Sequence, residues 1–243
     1  MFRAVLSDPE ILKTSFNALS HVIDELNIKI DEDGLVISVL SRDHALFAIL
    51  NIVKDGFDEY IYNEPVTVNV DSDEVTNALK KLRADDTLTL EITKNHLILI
   101  LDGESRRTFK IVLIDSEYEA PAPPELEYEL NIDLPVKILK DGVDMAGMYN
   151  IDASVKVDED KIYINAVGDF GESQNEYLHG ERVNEMVESK YRVERLKTIL
   201  RAEKFSKDVN LQIGNDMPLT VTYTDIFNST LKFMLADVEE VEM

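Results

Sequence analysis

Ile114-Asp-Ser-Glu-Tyr-Glu-Ala-Pro-Ala-Pro-Pro-Glu-Leu-Glu-Tyr-Glu-Leu130 is the stretch at which the chain divides. Pro121, Pro123 and Pro124 stand close together, there is no glycine, and six side chains are acidic. Proline fixes φ, lacks an N–H donor and biases the residue before it toward extended geometry. The stretch therefore reads as a stiff, extended surface connector, not as a helix or an inner strand. It lies near the midpoint of 243 residues, so it joins two bodies of similar size.

Those two bodies echo each other. Thr108-Phe-Lys-Ile-Val-Leu-Ile-Asp115 precedes the connector, and Thr230-Leu-Lys-Phe-Met-Leu-Ala-Asp237 stands near the far end. Thr, Lys, Leu and Asp match in register, and the other positions pair apolar with apolar. Upstream, Leu82-Arg-Ala84 precedes a strand pattern at 88–92, and Leu200-Arg-Ala202 precedes one at 209–213. Two echoes in the same order indicate an internal duplication, with a period too long for a solenoid repeat.

Apolar residues make up 44% of the chain, enough for two cores, and there is no cysteine, which excludes disulfides and thiolate metal sites. No run approaches the ~20 apolar residues of a membrane span. Met1-Phe-Arg-Ala-Val-Leu lacks the plan of a signal peptide, so a cytoplasmic protein is expected. The net charge of −23 argues against nucleic acid unless the 25 basic residues segregate.

They do segregate. Asp8-Pro9 opens a helix whose apolar face is Leu12, Phe16, Leu19 and Ile23. Strand patterns follow at 35–40, 45–52 and 66–70, the last alternating cleanly. Asp71-Ser-Asp-Glu74 resembles a capping box, and Val75, Ala78, Leu79 and Leu82 form the buried stripe of a second helix. Lys80, Lys81 and Arg83 load its last turn. With strands at 88–92, 96–101 and 108–113, the first half reads β-α-β-β-β-β-α-β-β-β. In the second half, Pro135 opens a helix with Val136, Leu139, Val143 and Ala146 inward. Its Gly142 and Gly147 weaken it by about 1 kcal/mol each relative to Ala. Strands at 155–157 and 162–166 flank a turn, and a fourth helix spans about 191–204. Strands at 209–213, 219–223 and 230–235 complete the pattern. The helices and their ends hold a disproportionate share of the Lys and Arg, whereas loops and connector carry the excess acid.

Several patterns lead nowhere. Asp169-Phe-Gly171 has no kinase context around it. Asp31-Glu-Asp-Gly34 and Asp158-Glu-Asp160 lack a spaced calcium loop and read as hairpin turns. His21, His44, His96 and His179 have no zinc spacing, and Asn228-Ser-Thr230 is a glycosylation pattern without a secretory context.

The whole chain resembles a sliding clamp of the archaeal and eukaryotic kind, the proliferating cell nuclear antigen family. The resemblance rests on Met1-Phe-Arg-Ala with Ile11-Leu-Lys13, Gly56-Phe-Asp-Glu-Tyr60, the connector, Asp216-Met-Pro-Leu219, and Leu231-Lys-Phe-Met-Leu-Ala236. Departures are Asp237-Val238, where the family has Pro and a basic residue, Ser41, where it often has Asp, and Asp144, where it often has a base. The resemblance implies an α+β DNA clamp fold: two similar domains of antiparallel sheets with two helices each, forming a ring. The expected boundaries are 1–114, a connector at 115–127, and 128–243.

The family implies a homotrimeric ring around duplex DNA, a polymerase processivity factor with no catalytic residues, metal or cofactor. A closed ring retains DNA by enclosure, so weak phosphate contacts suffice. The implied DNA contacts are Lys13, Lys80, Lys81, Lys140, Arg195, Arg201 and Lys204. Subunits are expected to meet edge to edge, at 108–113 of one and about 173–180 of the next. Arg106, Arg107 and Lys110 would face Glu172, Glu176 and Glu181, with Tyr177 and Leu178 beside them. DNA polymerase, clamp loader, flap nuclease and ligase would dock short apolar-aromatic peptides beside the connector, on Leu40, His44, Phe47, Leu126, Pro218, Met234, Leu235 and Ala236. Such a protein is nucleoid-associated and needs no membrane. The competing readings are a clamp-like subunit of a heterotrimeric ring and a carboxylate-metal hydrolase.

Overall fold

Apolar residues alternate over many short runs, and strands of four to eight residues are the commonest element. The computed structural model describes residues 2–116, 122–180, 183 and 186–238. Pro121 and Glu181 lie outside the described residues. The chain forms two units. The first holds Met1–Leu40, Ala48–Ala122 and Asp225–Leu231; the second holds Ser41–Phe47, Pro123–Thr224 and Lys232–Met243.

In chain order the first half contains β1 (Phe2–Leu6), α1 (Glu10–Leu19), β2 (Glu25–Ile30), β3 (Gly34–Leu40), β4 (Leu46–Val53), β5 (Glu59–Tyr62), β6 (Val66–Asp71), α2 (Ser72–Leu79), β7 (Thr87–Ile92), β8 (His96–Asp102) and β9 (Arg107–Val112). The second half contains β10 (Leu130–Pro135), α3 (Val136–Ala146), β11 (Asp152–Asp158), β12 (Lys161–Gly168), β13 (Gly171–Leu178), β14 (Val187–Arg192), α4 (Val193–Leu200), β15 (Asp208–Ile213), β16 (Leu219–Thr224) and β17 (Thr230–Leu235). The order in unit one is β5-β1-β7-β8-β9 and β4-β3-β2-β6; in unit two it is β10-β15-β16-β17 and β13-β12-β11-β14. The two orders superpose strand for strand, with β5 left over. The echoes in the sequence mark this: β9 corresponds to β17, and β7 to β15.

Helix pairs cover the sheets from within each unit. On α1, Leu12, Phe16 and Leu19 are buried; on α2, Val75, Ala78 and Leu79 are. Burying each large side chain contributes about 1.5–3 kcal/mol. The helices touch, and Thr76 Oγ1 donates to Phe16 O at 3.2 Å. The capping box forms at its first member: Asp71 accepts from Glu74 N at 2.9 Å. In unit two, Val136, Leu139, Val143 and Ala146 of α3 point inward, and α3 lies against β12, β13 and α4. A Cβ on Gly142 would stand 2.6 Å from Ile164 Cδ1 and 2.8 Å from its Cβ. Gly142 is thus what lets α3 approach β12 closely.

Three expectations need correction. Five strands separate α1 and α2, not the four of the expected order, and only three of them match the runs at 35–40, 45–52 and 66–70. The helices are shorter than their periodicity suggests. Ile23 lies past α1, and Lys80, Lys81 and Arg83 lie past α2, in a turn where Lys81 N and Leu82 N bond to Ala78 O and Leu79 O. Tyr191 and Arg192 belong to β14, paired with Ala153 and Asp152, and α4 ends at Leu200. The connector prolines that can be described, Pro123 and Pro124, are exposed and outside any strand. Among the described residues, no helix is long and apolar enough to cross a membrane.

Candidate nucleic-acid interface and docking patch

The cations expected to meet DNA fall into two groups. Lys80, Lys81 and Arg201 are exposed, and among the described residues their side chains form no ion pair. Lys204 is also exposed. Lys13, Lys140 and Arg195 are engaged by carboxylates within the chain. Lys13 reaches Glu10 at 3.4 Å. Lys140 donates to Glu203 at 2.5 Å, and that hydrogen bond holds its ammonium above the usual lysine range. Arg195 donates through Nη2 to Asp43 Oδ2.

The turn carrying Lys80, Lys81 and Arg83 is fastened by a group that sequence reasoning passed over. Asp86 is 2% exposed and accepts from Arg83 N at 2.6 Å. Arg107 on β9 donates to the same carboxylate through Nη2 and to Lys81 O through Nη1 at 2.6 Å. The Arg83 amide, helped by Arg107, holds Asp86 below the usual aspartate value of 3.8 despite desolvation. Gly103 leaves room for this: a Cβ there would sit 2.2 Å from Asp86 Oδ1. No periodicity signals such a residue; it lies in a loop between elements.

The expected subunit edges are edges in the structure. β9 and β13 each terminate their sheet. On β9, Lys110 and Val112 are exposed, while Arg107 is turned inward to Asp86; Arg106, just before the strand, is exposed and 3.9 Å from Asp102. On β13, Glu172, Glu176 and Leu178 are exposed and Tyr177 is half-buried. Glu176 also accepts from Lys161 at 2.6 Å.

The candidate docking residues divide by burial. Phe47, Met234 and Leu235 are in the core of unit two, at 6%, 7% and 1% exposure. His44 is exposed, and Leu126, Pro218 and Ala236 are half-buried. Leu40, half-buried, closes β3 in unit one. The segment around His44 is tightly tied. Ser41 Oγ donates to Asp43 at 2.5 Å and accepts from Leu46 N at 2.9 Å; His44 has φ 59°, a left-handed conformation. Burial would raise the Asp43 pKa, but Ser41, the Ala45 amide and Arg195 hold it below the usual aspartate value. Ala236 N donates to Ala45 O at 2.8 Å. Asp237, at the position where the resemblance leads one to expect proline, is 2% exposed and accepts from Lys190 N at 3.0 Å. Beside these residues unit two holds a cavity of about 460 Å³ lined by Asp43, Ala45, Ile151, Arg195, Leu235 and Ala236 among others.

The remaining motifs are structural. Asp31 Oδ1 accepts from Asp33 N at 2.9 Å and Gly34 N at 3.3 Å, closing a hairpin turn. Glu159 takes φ 48° in the β11–β12 turn. Phe170 of Asp169-Phe-Gly171 is fully exposed at the β12–β13 turn. Among the described residues no group of three or more His, Asp or Glu is placed to hold a metal.

Residues 1–119 match the family model described as the N-terminal domain of proliferating cell nuclear antigen. The DNA polymerase sliding clamp of Methanothermobacter thermautotrophicus is 41% identical over 243 residues, covering 100% of both chains. That of Methanobrevibacter smithii is 37% identical, covering 97% of each. Among solved structures, a chain of the PCNA2–PCNA3 complex from Sulfolobus tokodaii superposes with a TM-score of 0.90 at 25% identity, covering 97% of this chain and 99% of that one. PCNA from Thermococcus kodakaraensis gives a TM-score of 0.91 at 21% identity, covering 98% and 100%, a likeness of fold. With its duplicated units, its full-length relatives and its matching fold, the chain belongs to the DNA polymerase sliding clamp family.

Proposed function

We propose that three copies of this chain close head to tail into a ring around duplex DNA, and that the ring holds polymerase and other replication and repair enzymes at their template. The ring is a processivity factor and carries out no reaction itself. The observation that carries this reading is the pair of sheet edges, β9 and β13. One presents Lys110 with Arg106 nearby, and the other presents Glu172 and Glu176. An exposed edge invites strand addition, and edges of opposite charge favour each other over themselves. A heterologous contact closes when its rotation divides a full turn; a duplicated chain with matching halves suits that. Arg107 contributes by shaping its edge from within, Tyr177 and Leu178 supply apolar contact, and Glu181 is the assigned partner in the residues that follow.

Within the ring, DNA contact falls to Lys80, Lys81, Arg201 and Lys204, the exposed cations at the helix ends. An acidic surface elsewhere keeps DNA off the wrong face. The loader, nuclease and ligase dock through short apolar-aromatic peptides on a patch of unit two built from His44, Leu126, Pro218 and Ala236 over the buried Phe47, Met234 and Leu235. The domains divide at 1–114 and 128–243, with 115–127 as connector, and the ring works at the nucleoid. A solution mass tests the assembly: a trimer at micromolar concentration is expected. Retention on closed circular DNA and loss from linear DNA test enclosure. A persistent monomer would overturn the homotrimer. The PCNA2–PCNA3 complex among the structural neighbours favours a second reading, a mixed ring. In that case the monomer would assemble only with a different clamp chain.

A further inference from the structure

We propose that Arg195 is a positioning residue for the partner-docking patch and not a DNA contact. This rests on the docking reading above. Arg195 lies on α4, the helix whose exposed cations suggested DNA, yet its guanidinium is turned to Asp43 in the segment Ser41–Phe47. Its side chain is only 22% exposed, against 59% for Arg83.

Asp43 is the hub of that segment. It receives Arg195, the Ser41 hydroxyl at 2.5 Å and the Ala45 amide at 3.3 Å. Ser41 Oγ in turn accepts from Leu46 N at 2.9 Å, and His44 N donates to Ser41 O at 2.9 Å. The network holds His44 at φ 59°, which a non-glycine residue adopts only when its surroundings compel it. The same segment accepts Ala236 N through Ala45 O. His44 and Ala236, two members of the docking patch, therefore stand on a frame that Arg195 ties to α4 by a charged hydrogen bond. A guanidinium N–H donated to a carboxylate that already has two other donors is a charge-assisted bond that helps fix the carboxylate's orientation. Removing it leaves Asp43 and its segment free to sample other conformations. Apparent affinity then falls in proportion to the competent fraction.

The test compares wild type, Arg195→Ala, Arg195→Lys and Asp43→Asn as assembled protein. A labelled synthetic peptide carrying the apolar-aromatic motif reports docking, and retention on closed circular DNA reports encirclement. Arg195→Ala is expected to weaken the peptide about 10-fold, as for a patch competent one-tenth of the time, with retention unchanged. Arg195→Lys should recover part of the loss. Asp43→Asn should weaken the peptide, and adding Arg195→Ala to it should cost little more, since both act through one contact. Amide exchange at His44–Leu46 should quicken in Arg195→Ala without a change in global unfolding. Equal peptide affinity in wild type and Arg195→Ala would overturn the inference while leaving the patch in place. Lost DNA retention with intact peptide binding would overturn it in favour of a DNA contact. No peptide binding by wild type would remove the docking patch itself, and this inference with it.

Discussion

Replacing Lys80 and Lys81 together by Ala should reduce the salt dependence of DNA binding, and replacing Lys140 should not. The difference follows from what each ammonium already touches. Lys80 and Lys81 are exposed and unpaired among the described residues; Lys140 is 2.5 Å from Glu203, so the pair is close to neutral seen from outside. A phosphate releases condensed counterions only when it meets a cation not already neutralised. Each contact contributes about 0.9 to the slope of log K against log salt. If each protomer of a trimer loses one contact, the slope falls by about 2.7, three times 0.9. The assay is anisotropy of a labelled linear duplex titrated with the ring from about 50 to 200 mM salt, the range over which such contacts are screened. Solution mass in parallel shows that the assembly survives. An unchanged slope in Lys80→Ala/Lys81→Ala, or an equal fall in Lys140→Ala, would refute the idea that intramolecular pairing decides which cations serve DNA.

Two further outcomes concern the scaffold. Helix propensity alone makes Gly142→Ala stabilising by about 1 kcal/mol. The packing predicts the reverse, because the new Cβ would meet Ile164 at 2.6 and 2.8 Å, and forced overpacking costs about 1–3 kcal/mol. Denaturant unfolding should show a loss, relieved in part by Ile164→Val, and a gain in stability would be incompatible with the close approach. Asp86 titrates below 3.8 in the folded chain, so its contribution to stability is full above that pH and is lost as the pH falls through the lower folded value. The stability gap between wild type and Asp86→Asn should therefore narrow on acidification below about pH 4, near the ordinary aspartate pKa. A gap that stays constant or widens in acid unfolding curves would contradict the assignment.

Much of the architecture was legible because it rests on local rules. The stripe Leu12, Phe16, Leu19 and the cap at Asp71 are periodicity and short-range hydrogen bonding, and both appear as read. The Thr108–Asp115 echo of Thr230–Asp237 marked β9 and β17, which hold the same place in their units. Strand β2 gives no clean sequence signal although Leu26, Ile28 and Ile30 alternate inward; the buried Asn27, bonded to Asn69 at 2.6 Å, blurs the pattern. β5 has four residues and no buried position, too little for a signal. Polar β13, Gly-Glu-Ser-Gln-Asn-Glu-Tyr-Leu, came into view only through family resemblance, since an edge strand has little to bury. Periodicity carries the helices too far at Lys80–Arg83 and at Tyr191–Arg192, where the Asp86 carboxylate and β14 pairing capture residues that propensity assigns to helices.

The amino-acid order by itself determined the echo between the halves and the helix faces, because these follow from side-chain identity, periodicity and capping within short runs. Tertiary structure alone decided which charges are spent. Arg107 on Asp86, Arg195 on Asp43, Lys140 on Glu203 and Lys190 N on Asp237 join residues 21 to 152 positions apart. Each of these contacts depends on distance in space, which the spacing along a chain does not encode.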